Sequence, residues 1–168
     1  MVYAALMGAL TAAGAFIIIP LPPVPITAQT FFLNTAAILL GGPLAALSQI
    51  IYILLGIIGM PVFSGGKAGL GVLFGPTGGY LIGFILGAFA IGGITRMKKG
   101  AGTFWSLFAM LIGMAVIYGC GVLQLSFVAN LSMKKALAVG VLPFIPGDVI
   151  KILLAAIVGS QLKGRIKA

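Results

Sequence analysis

The chain has 168 residues, of which 61% are hydrophobic and only 7% are charged. Since soluble domains carry about 25% charged residues, this composition excludes a soluble globular protein and indicates an integral membrane protein. Ten Lys and Arg residues stand against one acid, and the resulting charge of +9 is scattered through apolar sequence, which argues against a nucleic-acid surface and is typical of topology signals in membrane loops.

The apolar segments predict an all-α membrane protein with six transmembrane helices in a single domain, residues 1–168. Proline-rich residues 20–25 end the first segment, and a Gly-Gly-Pro turn separates the second from the third. The second and third segments are short for a bilayer, so we expect tilt, local thinning or burial within the bundle. The six segments are residues 2–19, 28–40, 44–58, 78–94, 104–125 and 135–162.

The last segment contains Asp148, the only acidic residue of the chain, and we expect its helix to be broken around residues 143–147. A break at membrane depth survives only where protein or a water-filled cavity receives the freed backbone groups. A carboxylate there is costly and usually marks a ligand or ion site. Lys151 follows three positions later, on the same helical face if a helix begins near Gly147. This pair is therefore the first candidate site.

Residues 59–77, between the third and fourth segments, are too apolar for a solvated linker and too rich in glycine for a continuous helix. They predict a folded lid, referred to below as loop 59–77. Its Gly66-Lys67 pair is similar to part of a phosphate-binding loop. That motif needs Gly at 61 and Ser or Thr at 68, where this chain has Pro61 and Ala68, so a nucleotide site is excluded.

The distribution of cations predicts the orientation in the membrane. With an even number of spans, both termini lie on one side, together with the six cations after the fourth and sixth spans, against three cations on the other side. The side richer in cations is expected to be cytoplasmic. Residues 20–25, loop 59–77 and the start of the last span then all lie on the extracytoplasmic side. The first set is Arg96, Lys98, Lys99, Lys163, Arg165 and Lys167, and the second is Lys67, Lys134 and Lys135.

Three ordered motifs resemble the BioY family, the biotin-specific substrate-binding (S) components of energy-coupling factor (ECF) transporters. They are VPITAQTF at 24–31, GMPVFSGGK at 59–67 continuing to GPTGGY at 75–80, and PFIPGDVIK at 143–151. The resemblance runs over essentially the whole chain. It implies capture of biotin from outside, with a transmembrane coupling subunit and two cytoplasmic ATPases as partners. Some members of this family are thought to occur without that module.

The resemblance implies a role for the charged pair. Asp148 and Lys151 match the family's acid and lysine in the last span, where Asp148 would accept a ureido N–H of biotin and Lys151 would donate to the ureido oxygen. The alternative is an ion pair that only pins the last span, which apolar side chains would do at lower cost.

Further candidate ligand residues lie in the other two motifs. Lys67 is the nearest cation for the carboxylate of biotin, and Ser64 with the backbone N–H groups of Gly65 and Gly66 would complete an anion-binding nest. The alternative for Lys67 is a solvated loop lysine.

Polar and aromatic side chains at the outer ends of the spans form another group of candidates. Tyr80 and Gln29 match motif positions of the family and would bond ligand or backbone. Alternatively, Tyr80 is a membrane-interface residue and Gln29 a capping or packing residue. Phe63, with Phe31 and Phe74, is a candidate wall for the thiophane ring, although such aromatic residues more often face lipid or the core.

The first span carries small residues at one-turn spacing, including Ala5, Ala9 and Ala13. Small residues allow helices to approach closely in membranes. In the resembled family such a ridge docks the coupling subunit, and Ala5 and Ala9 match it. Packing within the chain's own bundle is the alternative.

Two other functional classes are alternatives to a substrate-binding component. A self-sufficient ion-coupled transporter, oligomeric and with Asp148 as proton carrier, would be distinguished by proton-dependent uptake by the purified chain alone. An enzyme is disfavoured because the chain has no histidine, no second acid and no persuasive pair of nucleophile and base. With Cys120 alone and histidine absent, we predict no internal disulfide, metal site or cofactor.

Overall fold

The computed structural model describes residues 1–98 and 102–162, which are mostly helical, as predicted. The predicted cytoplasmic cations Lys99, Lys163, Arg165 and Lys167 lie outside the described residues. The α-helices are α1 (Val2–Gly14), α2 (Gln29–Leu40), α3 (Gly42–Ile57), α4 (Gly78–Met97), α5 (Thr103–Val128), α6 (Met133–Gly140) and α7 (Ile145–Leu162). Two short strands, β1 (Ile18–Ile19) and β2 (Ile26–Thr27), pair in antiparallel fashion, and a 3-10 helix covers Leu70–Val72.

The first helix is shorter than the predicted segment 2–19. It ends at Gly14, and the following isoleucines enter β1, where Ile18 is opposite Thr27. β-branched residues suit an extended backbone, and the prolines of residues 20–25 prevent the helix from continuing. The chain folds back so that the N–H of Ala28 donates to the carbonyl oxygen of Gly14 at 3.1 Å. The hairpin thus places the start of α2 beside the end of α1.

The last predicted segment forms two helices rather than one. α6 ends at Gly140, a turn covers residues 141–144, and α7 begins at Ile145, slightly before the break predicted at 143–147. The hydroxyl of Tyr80 donates to the carbonyl oxygen of Gly140 at 2.8 Å. This bond satisfies one of the backbone carbonyl groups left unpaired where the helix is interrupted. As expected, Asp148 lies in the first turn of the helix that follows.

Loop 59–77 is held to the helices by hydrogen bonds at several points. The N–H of Gly69 donates to the carbonyl oxygen of Gly56 at 2.7 Å. The amide of Gln124, a residue of α5, donates to the carbonyl oxygens of Leu73 at 2.6 Å and Gly75 at 2.8 Å. These bonds satisfy backbone groups that a glycine-rich segment cannot pair internally. Gln124, whose role the sequence did not indicate, is therefore a support of the loop.

Close helix packing depends on glycine at a few positions. A Cβ at Gly83 of α4 would lie 2.9 Å from the Cα of Ile117 in α5, and one at Gly8 of α1 would lie 2.7 Å from the carbonyl oxygen of Ser48 in α3. Backbones this close gain dispersion contacts, which drive helix association where lipid surrounds the protein. The buried core between the helices includes Leu33, Tyr52, Ile91, Met110 and Ile117.

The outer surface remains apolar. Many large hydrophobic side chains are exposed, for example Leu86, Leu111 and Leu154, as expected for helices that face lipid. Among the described helices, α4, α5 and α7 are long and apolar enough to cross a membrane, whereas α1, α2 and α3 are apolar but shorter. The six-span count therefore stays a prediction.

Candidate functional site

A cavity opens between α2, α4, α5, α7 and loop 59–77. The space inside it is about 700 Å³ when the open mouth is included. The centre of a water molecule can occupy only about 60 Å³ of this space without contacting the walls. The small size of this water-accessible part means that the walls of the cavity lie close together. Polar and aromatic side chains in the lining include Thr27, Gln29, Thr30, Phe63, Ser64, Lys67, Tyr80, Phe84, Tyr118, Phe144, Asp148 and Lys151.

The charged pair forms one wall of this cavity. The ammonium of Lys151 lies 2.5 Å from Oδ1 of Asp148, and the two side chains are only 14% and 7% exposed. Both residues lie in the first two turns of α7. They share one helical face because they are three positions apart. A carboxylate near a helix N-terminus is also stabilised by the helix dipole. The pair is electrically neutral as a unit, which lowers the cost of its burial.

Three further residues hold the pair, and the sequence did not identify them as site residues. Thr30 donates to Oδ1 of Asp148 at 2.9 Å, and the hydroxyl of Tyr118 donates to Oδ2. Lys151 donates to the carbonyl oxygen of Thr27 at 2.8 Å and to Oγ1 of Thr30 at 3.0 Å. A polar residue within an otherwise apolar span, as Tyr118 is in α5, was the available signal. Both charged groups of the pair therefore have further hydrogen-bond partners within the protein.

Gln29 and Tyr80 line the cavity, but each also has a partner within the protein. The amide of Gln29 donates to the hydroxyl of Tyr52 at 2.5 Å, and its oxygen accepts from Thr27 at 2.8 Å. Tyr80 donates to Gly140, as described above, and its ring lies 6.4 Å from that of Phe144. Both side chains are more than 90% buried. Their position supports a contact with a ligand and is also consistent with the packing role.

Loop 59–77 contributes the opposite side of the cavity. Phe63 is buried and packs edge-on against Tyr52, with 5.7 Å between the ring centres. Its N–H donates to the carbonyl oxygen of Lys67 at 3.0 Å, which closes a tight turn. Gly65 and Gly66 have φ values of 75° and 72°, a left-handed conformation that favours glycine.

The predicted loop residues differ in how they meet the cavity. Ser64 and the exposed Lys67 line it, whereas the exposed Gly65 lies beside the lining. Of the two aromatic residues considered together with Phe63, Phe74 is 76% exposed and Phe31 packs against the core. These two rings therefore do not form the wall expected from the sequence.

The small residues of α1 lie on two different faces. Ala4, Gly8 and Ala12 are buried, whereas Ala5 and Ala9 are exposed. Packing within the bundle thus uses the first face. The face with Ala5 and Ala9 is unoccupied by other described residues of this chain.

Among the described residues there is no group of three or more His, Cys, Asp or Glu side chains able to hold a metal ion. The polar groups at the cavity are hydroxyls, the Gln29 amide, the Lys67 ammonium and the Asp148–Lys151 pair, which are suited to hydrogen-bond recognition of a small polar molecule.

Comparison with known proteins gives the chain a family. The model of the BioY family matches residues 1–168. The biotin transporter BioY of Thermotoga maritima is 44% identical over 163 residues, which are 97% of this chain and 95% of that protein. The probable biotin transporter BioY of Pyrococcus horikoshii is 41% identical, with 95% of this chain and 93% of that protein covered.

A solved structure agrees with these relatives. The crystal structure of the S-component for biotin from an ECF-type ABC transporter is similar with a TM-score of 0.89 and 32% identity, covering 97% of this chain and 89% of that chain. All of these proteins are transport proteins rather than enzymes, which confirms the prediction that this chain is not an enzyme. The membrane class indicated by the composition agrees as well. The chain belongs to the BioY family.

Proposed function

We propose that this protein captures biotin on the outer side of the cell membrane as the S component of an ECF-type transporter. A transmembrane coupling subunit and two ATPases would supply the energy for uptake. The observation that carries the proposal is the buried Asp148–Lys151 pair in the wall of a narrow cavity. The names of the relatives and of the similar structure, biotin transporters and an S component for biotin, point to the ligand.

The chemistry of biotin suits this cavity. Its ureido ring carries N–H donors, and a buried carboxylate accepts such a donor in a charge-assisted bond. Its thiophane ring is apolar and would pack against aromatic side chains of the lining, such as Phe63. Its carboxylate would lie towards loop 59–77, where Lys67 and Ser64 line the cavity. Tyr80 and Gln29 would border the ligand between these two ends.

The arrangement in the membrane is part of the proposal. α1 to α5 would each cross the bilayer, and α6 with α7 would form the sixth crossing. Both termini would then be cytoplasmic, on the side of Arg96 and Lys98, with loop 59–77 outside. α1 to α3 have 13, 12 and 16 residues, so at 1.5 Å per residue they need tilt or a locally thinner bilayer.

Docking of the coupling subunit would use α1. Ala5 and Ala9 are exposed and small, and Ala13 is exposed one turn further along. Such a ridge admits a second helix at short distance. The self-sufficient proton carrier is less well supported, because the Asp148 carboxylate already accepts bonds from three donors within the protein.

Binding of radiolabelled biotin to the purified, detergent-solubilised protein tests the function. We expect tight binding by the parent protein and a loss of roughly 100-fold or more in Asp148→Asn and Lys151→Met, because breaking a buried charged pair costs on the order of 3–5 kcal/mol. Lys134→Met is the matched control, since Lys134 is exposed on α6. It should bind biotin normally.

Thermal unfolding in detergent separates loss of binding from loss of folding. Variants that remain folded and fail to bind support the proposal. No tight binding by the parent, or normal binding by both pair variants, would overturn it.

A further inference from the structure

The hydrogen bonds around Asp148 leave one acceptor position open. Among the described residues, Oδ1 accepts from Thr30 at 2.9 Å and from Lys151 at 2.5 Å, whereas Oδ2 accepts only from Tyr118. A carboxylate has about four lone-pair positions, two on each oxygen. One lone pair of Oδ2 is therefore free, on the oxygen that Tyr118 contacts.

Lys151 has no free proton in this arrangement. Its three ammonium protons are matched by Asp148 at 2.5 Å, the carbonyl oxygen of Thr27 at 2.8 Å and Oγ1 of Thr30 at 3.0 Å. A ligand carbonyl can reach the ammonium only by replacing one of these acceptors. Without rearrangement, the hydrogen-bond network around the pair can therefore accept hydrogen bonds from a ligand but cannot donate any.

Tyr118 adds a second acceptor to the same corner. Because its hydroxyl proton is used on Oδ2 of Asp148, its oxygen can only accept from any further partner. Tyr118 and Asp148 both line the cavity. A group that enters this corner with an N–H is bonded, whereas an oxygen in the same place meets two electron-rich atoms.

We propose that Tyr118 is a positioning residue that aims Oδ2 of Asp148 at a single N–H of the ligand, and that this corner selects a cyclic urea over a ring with oxygen at that position. The inference rests on the function proposed above. Tyr118 acts through Asp148, since its hydroxyl keeps Oδ2 turned away from the Lys151 ammonium. Thr30 and Lys151 hold the other oxygen in the same manner.

Two cyclic carbamate analogues of biotin, each with one ureido N–H replaced by oxygen, test the proposal in the parent protein. They preserve size and shape but remove one donor at a time. We expect one of the two to bind on the order of 100-fold more weakly than biotin, because a bond to a charged group is lost and an oxygen faces the carboxylate. If both analogues bind as tightly as biotin, the proposal is wrong.

Tyr118→Phe then tests the positioning role. We expect the ratio of affinities between biotin and the weaker carbamate to fall by about tenfold, because Oδ2 is free to turn towards Lys151. Tyr80→Phe is the matched control, since it removes a hydroxyl of the same cavity that is bonded to Gly140 instead. It should change the affinities for both ligands by the same factor and leave the ratio unaltered.

The outcomes separate this inference from the function itself. Tight biotin binding with an unchanged ratio in Tyr118→Phe would contradict the role of Tyr118 and leave the function standing. Absence of biotin binding by the parent protein would contradict the function. The carbamate comparison in the parent needs no variant and remains decisive if Tyr118→Phe does not fold.

Discussion

At the scale of single residues, the buried carboxylate persists because three other residues form hydrogen bonds with it or with its counter-ion. Thr30 bridges the two charges by donating to Asp148 and accepting from Lys151, and Tyr118 and Thr27 complete the set. A buried ion pair without such bonds would be less stable than an apolar pair of the same size. These hydrogen bonds therefore offset the cost of burying the pair, and they leave one acceptor position of Asp148 open for a ligand.

Lys67 allows a test of which end of the ligand meets loop 59–77. We expect Lys67→Met to weaken biotin binding by about two- to fivefold, the size of an exposed ion pair, and to leave binding of the neutral biotin amide unchanged. The measurement is the affinity for both ligands at low salt, because salt screens an exposed pair.

Lys134→Met again serves as the control, since it also removes an exposed lysine. Equal weakening of biotin and its amide in Lys67→Met would assign the lysine to the loop structure instead of the carboxylate. Unchanged affinity for both ligands would show that Lys67 is a solvated lysine that does not contact the ligand.

Site residues that are close together in the sequence were predictable, whereas those far apart in the sequence were not. Asp148 and Lys151 are visible because they are three positions apart on one helix. Thr30 lies 118 positions from Asp148, and Tyr118 lies 30 positions away on another helix. No local periodicity connects such residues, so their role appears only when the helices are packed.

At the scale of elements, α1 carries two ridges of small residues with different uses. Ala4, Gly8 and Ala12 face the bundle, and a Cβ at Gly8 would lie 2.7 Å from the backbone of Ser48. Ala5 and Ala9 are exposed. Both ridges show the same spacing in the sequence, and only the packing of α1 against α3 distinguishes them.

Ala5→Trp and Ala9→Trp test the exposed ridge. We expect each to abolish co-purification with an ECF coupling subunit and to leave biotin binding within about twofold of the parent, because the bulky ring blocks close approach without touching the bundle. Co-expression followed by affinity purification, with a parallel binding assay, gives both readouts.

The same substitution elsewhere provides the control. Leu111→Trp places a tryptophan on α5 at a side chain that is 57% exposed, and assembly should persist. Unchanged assembly in the Ala5 and Ala9 variants would show that the coupling subunit docks on another face.

Element boundaries were predicted well where glycine and proline end a helix and poorly where the chain reverses. The Gly-Gly-Pro turn separates α2 (Gln29–Leu40) from α3 (Gly42–Ile57) as expected. The predicted first segment ran five residues past the end of α1 and included both residues of β1, because a run of isoleucines is equally apolar in a helix and in a strand. The strand forms there because Ile26 and Thr27 are available to pair with it.

At the scale of the whole molecule, the cavity lies at the end of the bundle where the hairpin, loop 59–77 and the α6–α7 break meet. Each of these is irregular backbone, and irregular backbone at membrane depth requires protein or a water-filled cavity beside it. The break at residues 141–144 and the loop are both anchored to helices by side chains, Tyr80 for the break and Gln124 for the loop. The irregular segments and the cavity therefore support one another.

Cysteine labelling tests the proposed topology, and the single Cys120 makes it practical. In a Cys120→Ser background we expect cysteines at positions 67 and 134 to react with a membrane-impermeant maleimide in intact cells, and a cysteine at position 98 to react only after permeabilisation. The Cys120→Ser protein without any added cysteine should bind biotin and remain unlabelled. Labelling of position 98 in intact cells would reverse the orientation, and failure at position 134 alone would contradict the six-span count.

The sequence alone determined the membrane class, the break before α7 and the presence of one charged pair on one helical face. These properties depend on composition and local spacing, which a bilayer constrains strongly. The tertiary structure decided which polar side chains hold that pair, which ridge of α1 stays exposed and that loop 59–77 and α7 share one cavity. Those features depend on contacts between residues far apart in the chain, and only the packing of the helices brings them together.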